Sequence, residues 1–360
     1  MPDNKPGIKE YLNRTLEALL PLLGLPLALL LGAVMLLALK VNPLTAYSAM
    51  LEGAVGSGYA ISVTLIKATP LLLVGLGIVI AYRGGVVNIG GEGQLIVGAL
   101  AATALSIGMS AWPRWALLPM SLIVGVLAGA VWGSVPGLLK SRIGVNEILS
   151  TVMMNSIALQ FSNFLLRGPM IDPAELEAGT RIAQSALLPE QVWLTRMAPP
   201  IRLHSGAILA VVMAFLVYIF LWRTTIGYRI RAVGLNPHAS RYAGIPVPFY
   251  QALCLILGGS FAGLAGAVEV MGLHHRMMEG VSSGYGFSGI VAALFGKLHP
   301  LGAIPASVLF GGLLVGGNQM QRAVQVPSAL IDAILGLVVL FVVSADIYSR
   351  KRARRREING

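Results

Sequence analysis

Long apolar runs broken by short polar or basic stretches organise this chain from end to end. Runs at or near the ~20 residues needed to cross a bilayer occupy 20–39, 68–82, 87–109, 115–138, 146–166, 205–222, 249–271, 285–296, 301–320 and 327–347. They predict an all-α polytopic membrane protein of about ten transmembrane helices. The domain would span 20–347, between an N-terminal segment, 1–19, and a tail, 348–360. Two runs are short. Residues 68–82 would make roughly 22 Å of helix against a ~30 Å hydrocarbon core. This span is therefore expected to start before Lys67, with Pro70 kinking it and Lys67 snorkelling outward. The run 285–296 cannot cross unaided and reads as a half-helix or re-entrant segment.

Composition narrows the class. Hydrophobic residues make up 56% of the chain and charged residues 11%, where soluble domains carry about 25% charged. The 43 glycines suit close helix packing in lipid. A net charge of +11 could suggest nucleic acid. The basic residues instead punctuate the apolar runs and cluster in Arg350–Arg356, a pattern that suits anionic headgroups and topology, so no nucleic-acid partner is expected. Cys254 is the only cysteine and lies in an apolar run, which excludes an intramolecular disulfide. Residues 1–20 carry charges of both signs and lack a cleavage pattern, as in a retained cytoplasmic segment. With ten crossings and the N-terminus inside, most basic residues fall on the inner side; both termini are then cytoplasmic and the loop 167–204 is external.

Three stretches interrupt the apolar pattern with chemistry. The first, Tyr82 to Gln94, returns into an apolar run carrying Asn88, Glu92 and Gln94 among five glycines. An intramembrane carboxylate is expensive, so Glu92 either serves function or orders an interfacial loop. The second starts a helix at Asn146, and Ser150, Thr151 and Asn155 form a polar stripe that bonds neighbouring helices or lines a pathway. The third, Gly284 to Gly302, carries Tyr285 and Phe287, which either stack on a planar solute or anchor at the interface, and His299 in a short exposed turn. The glycine-rich stretches at 84–93 and 284–289 form a faint internal correspondence, as in an inverted repeat around a central pathway. His274 and His275 beside Glu269 and Glu279 raise a metal reading, but their spacing favours a polar loop and no metal site is expected.

The stretch 227–246, within a polar loop at 224–248, is basic and helix-capable. Asn236-Pro237 supplies an N-cap and first turn, and Gly244 with Pro246 ends the helix. No phosphate-binding loop, nucleophile elbow or zinc-protease helix occurs, so no catalytic residue is expected.

Ala68 to Leu73, Arg83 to Gln94, Asn146 to Asn155, Gly227 to Ile245 and Gly286 to Gly302, in this order, resemble permease subunits of bacterial ABC importers for ribose, branched-chain amino acids and nucleosides, with the nucleoside branch nearest. The resemblance implies a coupling loop of Arg231, Gly234, Asn236, Pro237, Ala239, Tyr242 and Gly244, and pathway candidates Asn88, Glu92, Gln94, Asn146, Asn155, Tyr285 and Phe287. His238 departs from the acidic residue common there. The implied partners are ABC ATPase subunits, a second related permease or another copy of this chain, an extracytoplasmic solute-binding lipoprotein and membrane lipids. ATP and Mg would sit on the ATPases, with no cofactor on this chain, in the bacterial inner membrane. A simple-sugar permease or a secondary transporter are the alternatives.

Overall fold

The structure is a computed structural model that describes residues 26–198 and 201–338, with 340, 341 and 344. The expectations for 1–19 and for the basic tail lie outside the described residues. The chain divides into two compact units, Met1–Ala60 with Gly312–Gly360, and Ile61–Gly311.

In the first unit, α1 is Pro26–Ala38 and α2 is Pro43–Val55. The pattern of apolar runs did not reveal α2. It starts because the Asn42 side chain accepts from the Leu44 amide and Pro43 fits its first turn. A Cβ added at Gly316, in the second half of α13 (Pro300–Val324), would stand 2.3 Å from the Met50 carbonyl oxygen, so α2 and this stretch approach backbone to backbone. Gly32 of α1 likewise meets Tyr47 and Ile334, the latter on α14, Ser328–Val338.

The second unit holds α3 (Gly58–Arg83) from residue 61, then α4 (Gly91–Gly108), α5 (Arg114–Leu138), α6 (Glu147–Arg167) and the short α7 (Pro173–Glu177). A two-stranded antiparallel hairpin follows, β1 (Arg196–Ala198) and β2 (Ile201–His204). Next come α8 (Gly206–Arg223), α9 (Thr225–Leu235), α10 (Pro237–Tyr242), α11 (Val247–Glu269), α12 (Tyr285–Phe295) and the first half of α13. Both α5 and α11 run on into π-helical turns, Leu139–Ile143 and Val270–His274. Among the described residues seven helices are long and apolar enough to cross a membrane: α3, α4, α5, α6, α8, α11 and α13. The expected run 285–296 appears as the shorter apolar helix α12, and the described parts of 20–39 and 327–347 include the helices α1 and α14.

The expected extension of α3 back past Lys67 occurs, and the helix continues through Pro70. Lys67 does not snorkel outward; its ammonium turns inward to the Tyr285 hydroxyl. The small hairpin and an isolated antiparallel bridge, Gln184 to Met278, depart from an all-α chain among the described residues, and the hairpin lies in the loop expected outside.

Glycine sets how the second unit packs. In α5, Gly125, Gly129, Gly133 and Gly137 recur every fourth residue and form one ridge against α11. A Cβ at Gly129 would stand 2.2 Å from the Gly259 oxygen, and one at Gly98 of α4 would stand 2.3 Å from the Gly263 Cα. The three helices α4, α5 and α11 therefore approach through bare backbone, the small-residue packing that lipid favours. Apolar 18-residue stretches of α3 and α11 are 83% and 78% buried, against 22% to 28% for those of α5, α6 and α8, which turn most of their surface outward.

One end of this unit gathers the end of α3, the α5–α6 turn, α9, α10 and the α12–α13 turn. Arg83 Nε donates to the Leu298 carbonyl, and a Cβ at Gly234 would lie 2.1 Å from the Arg83 oxygen. The opposite end carries the 168–204 loop, strapped to the end of α11 and the loop after it: the Leu194 amide donates to Met271, and that of Ser185 to Met277.

Replacing Gly129 with Val would drive two methyl groups into the backbone of α11. Overpacking of this kind costs about 1–3 kcal/mol. The Gly129→Val protein is expected to melt several degrees lower in detergent, whereas Gly108→Ala, with nothing within 4 Å of the added Cβ, melts as the parent does. Equal melting temperatures for the two would refute the close-packed ridge.

Candidate functional site

The chain breaks regular helix twice inside the second unit, and the two breaks meet. After α3 ends at Arg83, Gly85 takes φ +74°, and residues 86–89 run without regular structure before α4 begins at Gly91. Backbone that leaves a helix loses its internal partners, and within a bilayer those groups must be satisfied by protein. Side chains supply them. Asn88 Oδ1 accepts from the Gly90 amide, and Asn88 Nδ2 donates to Gln94 Oε1 at 3.0 Å. Thr151 and Asn155 of α6 reach across: Thr151 Oγ1 accepts from Ile89, and Asn155 accepts from the Gly93 amide while donating to the Ile89 carbonyl.

Glu92 closes the second break. Its carboxylate accepts from the Gly284 amide at 3.1 Å and the Gly286 amide at 2.7 Å, and so caps α12, whose preceding Gly284 has φ +74°. Two orphan N–H groups and the positive end of the helix dipole meet one carboxylate. A Cβ at Gly286 would stand 2.2 Å from the Glu92 nitrogen, so the N-termini of α4 and α12 abut. This is the geometry of discontinuous membrane helices facing each other at depth.

A second cluster lies beside this junction. Glu269, 1% exposed at the end of α11, stands 3.8 Å from Lys67 Nζ and 3.4 Å from His274 Nε2, and accepts from the Tyr285 hydroxyl at 3.3 Å. The π-helical turn Val270–His274 follows it at once, and His275 then takes a left-handed φ of +55°. Trp193 of the 168–204 loop stacks on His275 with ring centroids 4.0 Å apart.

The structure groups only some of the expected pathway residues. Asn88, Glu92, Gln94 and Asn155 sit together at the junction, and Tyr285 lies next to it. Asn146 is exposed at the start of α6, where it caps the Ile148 amide, away from that group. Tyr285 and Phe287 do not pair as a stacking platform: Tyr285 is 1% exposed with its hydroxyl engaged, while Phe287 is 49% exposed. His299 is not an open turn residue, since it packs on Trp222 and Tyr218.

At the other end, α10 forms as its sequence signals ask. Asn236 accepts from the Ala239 amide, Pro237 opens the helix, and Gly244 follows with φ +76°. The preceding residues are not loop but helix, α9, entered through a Thr224 cap on the Gly227 amide. Arg229 donates to the Tyr250 hydroxyl, and Arg231 donates to the Leu221 carbonyl and lies over the Trp222 ring. Both arginines are thus engaged within the chain. Arg83 approaches the same indole, at 5.3 Å. Leu235 and Tyr242 stand 86% and 96% exposed.

Lys67, Glu269 and Trp222 were not among the expected site residues. For the first two a signal existed: each is a lone charge inside an apolar run, and their signs are opposite. Nothing in the pattern marks Trp222.

The family described as branched-chain amino acid transport system, permease component, matches residues 60–343. The guanosine ABC transporter permease protein of Bacillus subtilis is 36% identical over 334 residues, covering 92% of this chain and 95% of that one. The nucleoside ABC transporter permease protein NupB of Lactococcus lactis is 31% identical over 336 residues, 92% of each chain. A glucose ABC transporter permease protein of Haloferax volcanii is 34% identical over 337 residues, 92% of this chain and 88% of its own length.

Removing the Glu92 carboxylate strips the cap from α12. Uncapped, buried amides cost about 1–3 kcal/mol. Glu92→Ala is expected to raise hydrogen exchange in the peptide covering 284–290 at least several-fold, with Glu92→Gln, which keeps an acceptor, between it and the parent. Unchanged exchange in Glu92→Ala would show that the carboxylate does not hold α12.

Proposed function

This chain belongs to the family of permease components of branched-chain amino acid transport systems, and on that premise we propose that it is the membrane-spanning subunit of an ATP-driven importer whose solute is a nucleoside. The observation that carries the ATP-driven reading is the α9–α10 pair. It presents Leu235 and Tyr242 almost fully to solvent at a polar end of the protein, and an exposed apolar patch rimmed by polar residues marks a protein contact. A motor that closes on ATP would seat α10 in a groove, with Ala239, Tyr242 and Gly244 at the contact. Asn236 and Pro237 would fix the helix, while Gly234 and Arg231 bind it to the rest of the unit.

The nucleoside assignment draws on the guanosine and nucleoside permeases that resemble the chain over most of its length. The glucose permease keeps a simple sugar as the alternative. ATP and Mg would be bound by two ATPase subunits, and a second permease chain, related or identical, would complete the pathway. A solute-binding lipoprotein would dock over the 168–204 loop. The membrane is the bacterial inner membrane, with α10 and both termini on its cytoplasmic side.

Sidedness has a direct test. Cysteines placed at Ala178 and Ala239 of a chain lacking Cys254 should react with an impermeant maleimide from opposite faces, Ala178 from outside intact spheroplasts and Ala239 only after lysis. Labelling of both from outside would overturn the orientation.

Function is read in proteoliposomes holding the permease with its ATPases and binding protein. Uptake of labelled guanosine is expected only with hydrolysable ATP. Ala239→Trp, which adds bulk to the exposed face of α10, should cut uptake at least tenfold while ATP hydrolysis persists. Competition by ribose but by no nucleoside would shift the solute to a sugar; full uptake by Ala239→Trp with the ATPase bound would refute the coupling contact.

A further inference from the structure

The buried cluster at the end of α11 has more polar capacity than its neighbours use. Glu269 accepts the Tyr285 hydroxyl at one oxygen, Oε1, while Oε2 has no hydrogen-bond partner among the described residues. His204, 1% exposed, packs its ring on Gly272, where a Cβ would come within 2.7 Å. Its Nδ1 accepts from the Gly206 amide, so a neutral ring carries its proton on Nε2. Burial pushes His204 below its ordinary pKa and keeps the ring neutral. That Nε2–H is a second buried group without a partner among the described residues.

Buried polar groups are nearly always satisfied, and each exception asks for a missing partner. Here four exceptions cluster, the Glu269 Oε2 acceptor with the His204 Nε2, His274 Nε2 and His275 Nδ1 ring nitrogens, beside the Lys67 ammonium. Lys67 and His274 are about a quarter exposed, at 26% and 24%, so they form the accessible rim, with Glu269 and Tyr285 behind it. The backbone carries the marks of a working site as well: a π-helical turn directly after Glu269 and a left-handed non-glycine residue, His275, directly after that turn.

A group that satisfies a carboxylate oxygen, an ammonium and an imidazole N–H together must both donate and accept at adjacent atoms. Neighbouring hydroxyls of a furanose do this: each offers one O–H and two lone pairs. A nucleobase edge offers the same atoms in a plane, but the Tyr285 ring is 1% exposed and lies beneath Lys67 at 5.2 Å, which leaves no open aromatic face for a base. We infer that Lys67, Glu269 and Tyr285, with His204 and His274 at its edge, form a solute-recognition subsite that takes a vicinal diol of the sugar moiety. The inference rests on the nucleoside reading for the identity of that sugar. In the state described Lys67, Glu269 and Tyr285 contact one another, and a solute hydroxyl enters as α3 and α12 part around them. Glu269 then accepts from the diol, Lys67 donates to it, and Tyr285 holds the carboxylate in place.

The test uses the complete importer in proteoliposomes with guanosine and 2′-deoxyguanosine as probes. Affinities of the binding protein for both are measured separately and are common to every permease variant, so a change in selectivity belongs to the permease. Glu269→Gln is expected to lower the uptake efficiency for guanosine by about tenfold, the value of one good hydrogen bond. It should lower that for 2′-deoxyguanosine by less than about threefold. Tyr285→Phe keeps volume and charge and should shift selectivity in the same direction, which guards against a Glu269→Gln protein that fails to assemble. Both solutes falling in equal proportion in both variants would overturn the subsite and leave the cluster as a helix tie or the seat of a trapped water. A parent importer that carries ribose but no guanosine would overturn the nucleoside reading alone; ribose against 2-deoxyribose then decides the diol subsite in the same vesicles.

Discussion

Everything in the second unit turns on one constraint: backbone that leaves regular helix inside a bilayer must find partners within the protein. The chain does this at 84–90 and again just before α12, and side chains make good each break. Asn155 supplies both a donor and an acceptor to the first. Glu92 supplies both acceptors to the second. Because Glu92 is itself in the first turn of α4, the two breaks hold each other. A carboxylate that is costly in lipid becomes stabilising when it meets two orphan amides and the positive end of a helix.

Such a junction requires close neighbours, and glycine provides them. A Cβ at Gly258 would come 2.7 Å from Asn88 Nδ2, and one at Gly93 would come 2.9 Å from the Asn155 Cα. Any larger side chain at either position would push apart the groups that satisfy the break. The ridge of α5 against Gly259 and Gly263 then fixes α11 behind it. Close packing and polar satisfaction are thus one device: bare backbone surfaces bring α6 and α11 near enough for short amide side chains to reach.

The period of hydrophobicity made the long helices legible, and capping chemistry made α6 and α10 legible, because Asn146 and Asn236 act within their own first turns. Polar residues inside apolar runs pointed to Asn88, Glu92, Gln94 and Asn155. What local signals could not convey is where a long side chain turns. Lys67 sits where snorkelling would be ordinary, yet a carboxylate 202 positions later in the chain draws it inward. Trp222 carries no signal in the sequence, yet it lies beneath Arg83 and Arg231. The short amphipathic α9 was hidden because its polar face dilutes any apolar run. Pairings across many residues of sequence are tertiary facts, and no window along the chain contains them.

The half-helix α12 joins the two ends of the argument. Eleven residues make a rod of roughly 16 Å. Its first turn carries the Gly286 amide held by Glu92 and the Tyr285 hydroxyl held by Glu269. Just past its last turn, Gly296 packs against Gly302 at 2.5 Å from an added Cβ, and Lys297 and Leu298 take left-handed angles of +55° and +51° that fold the chain straight into α13. The Leu298 carbonyl there receives Arg83, and His299 lies on the Trp222 ring, whose cationic neighbours are Arg83 of α3 and Arg231 of α9. A rod this short does not bend appreciably, so a displacement at its Trp222 end is felt at its Glu92 end. The α9–α10 pair is attached to the first through Arg231 and Gly234, and the polar cluster of α11 to the second through Tyr285. One short helix therefore links the α9–α10 end of the unit to the buried charges of α11, with hydrogen bonds at both ends.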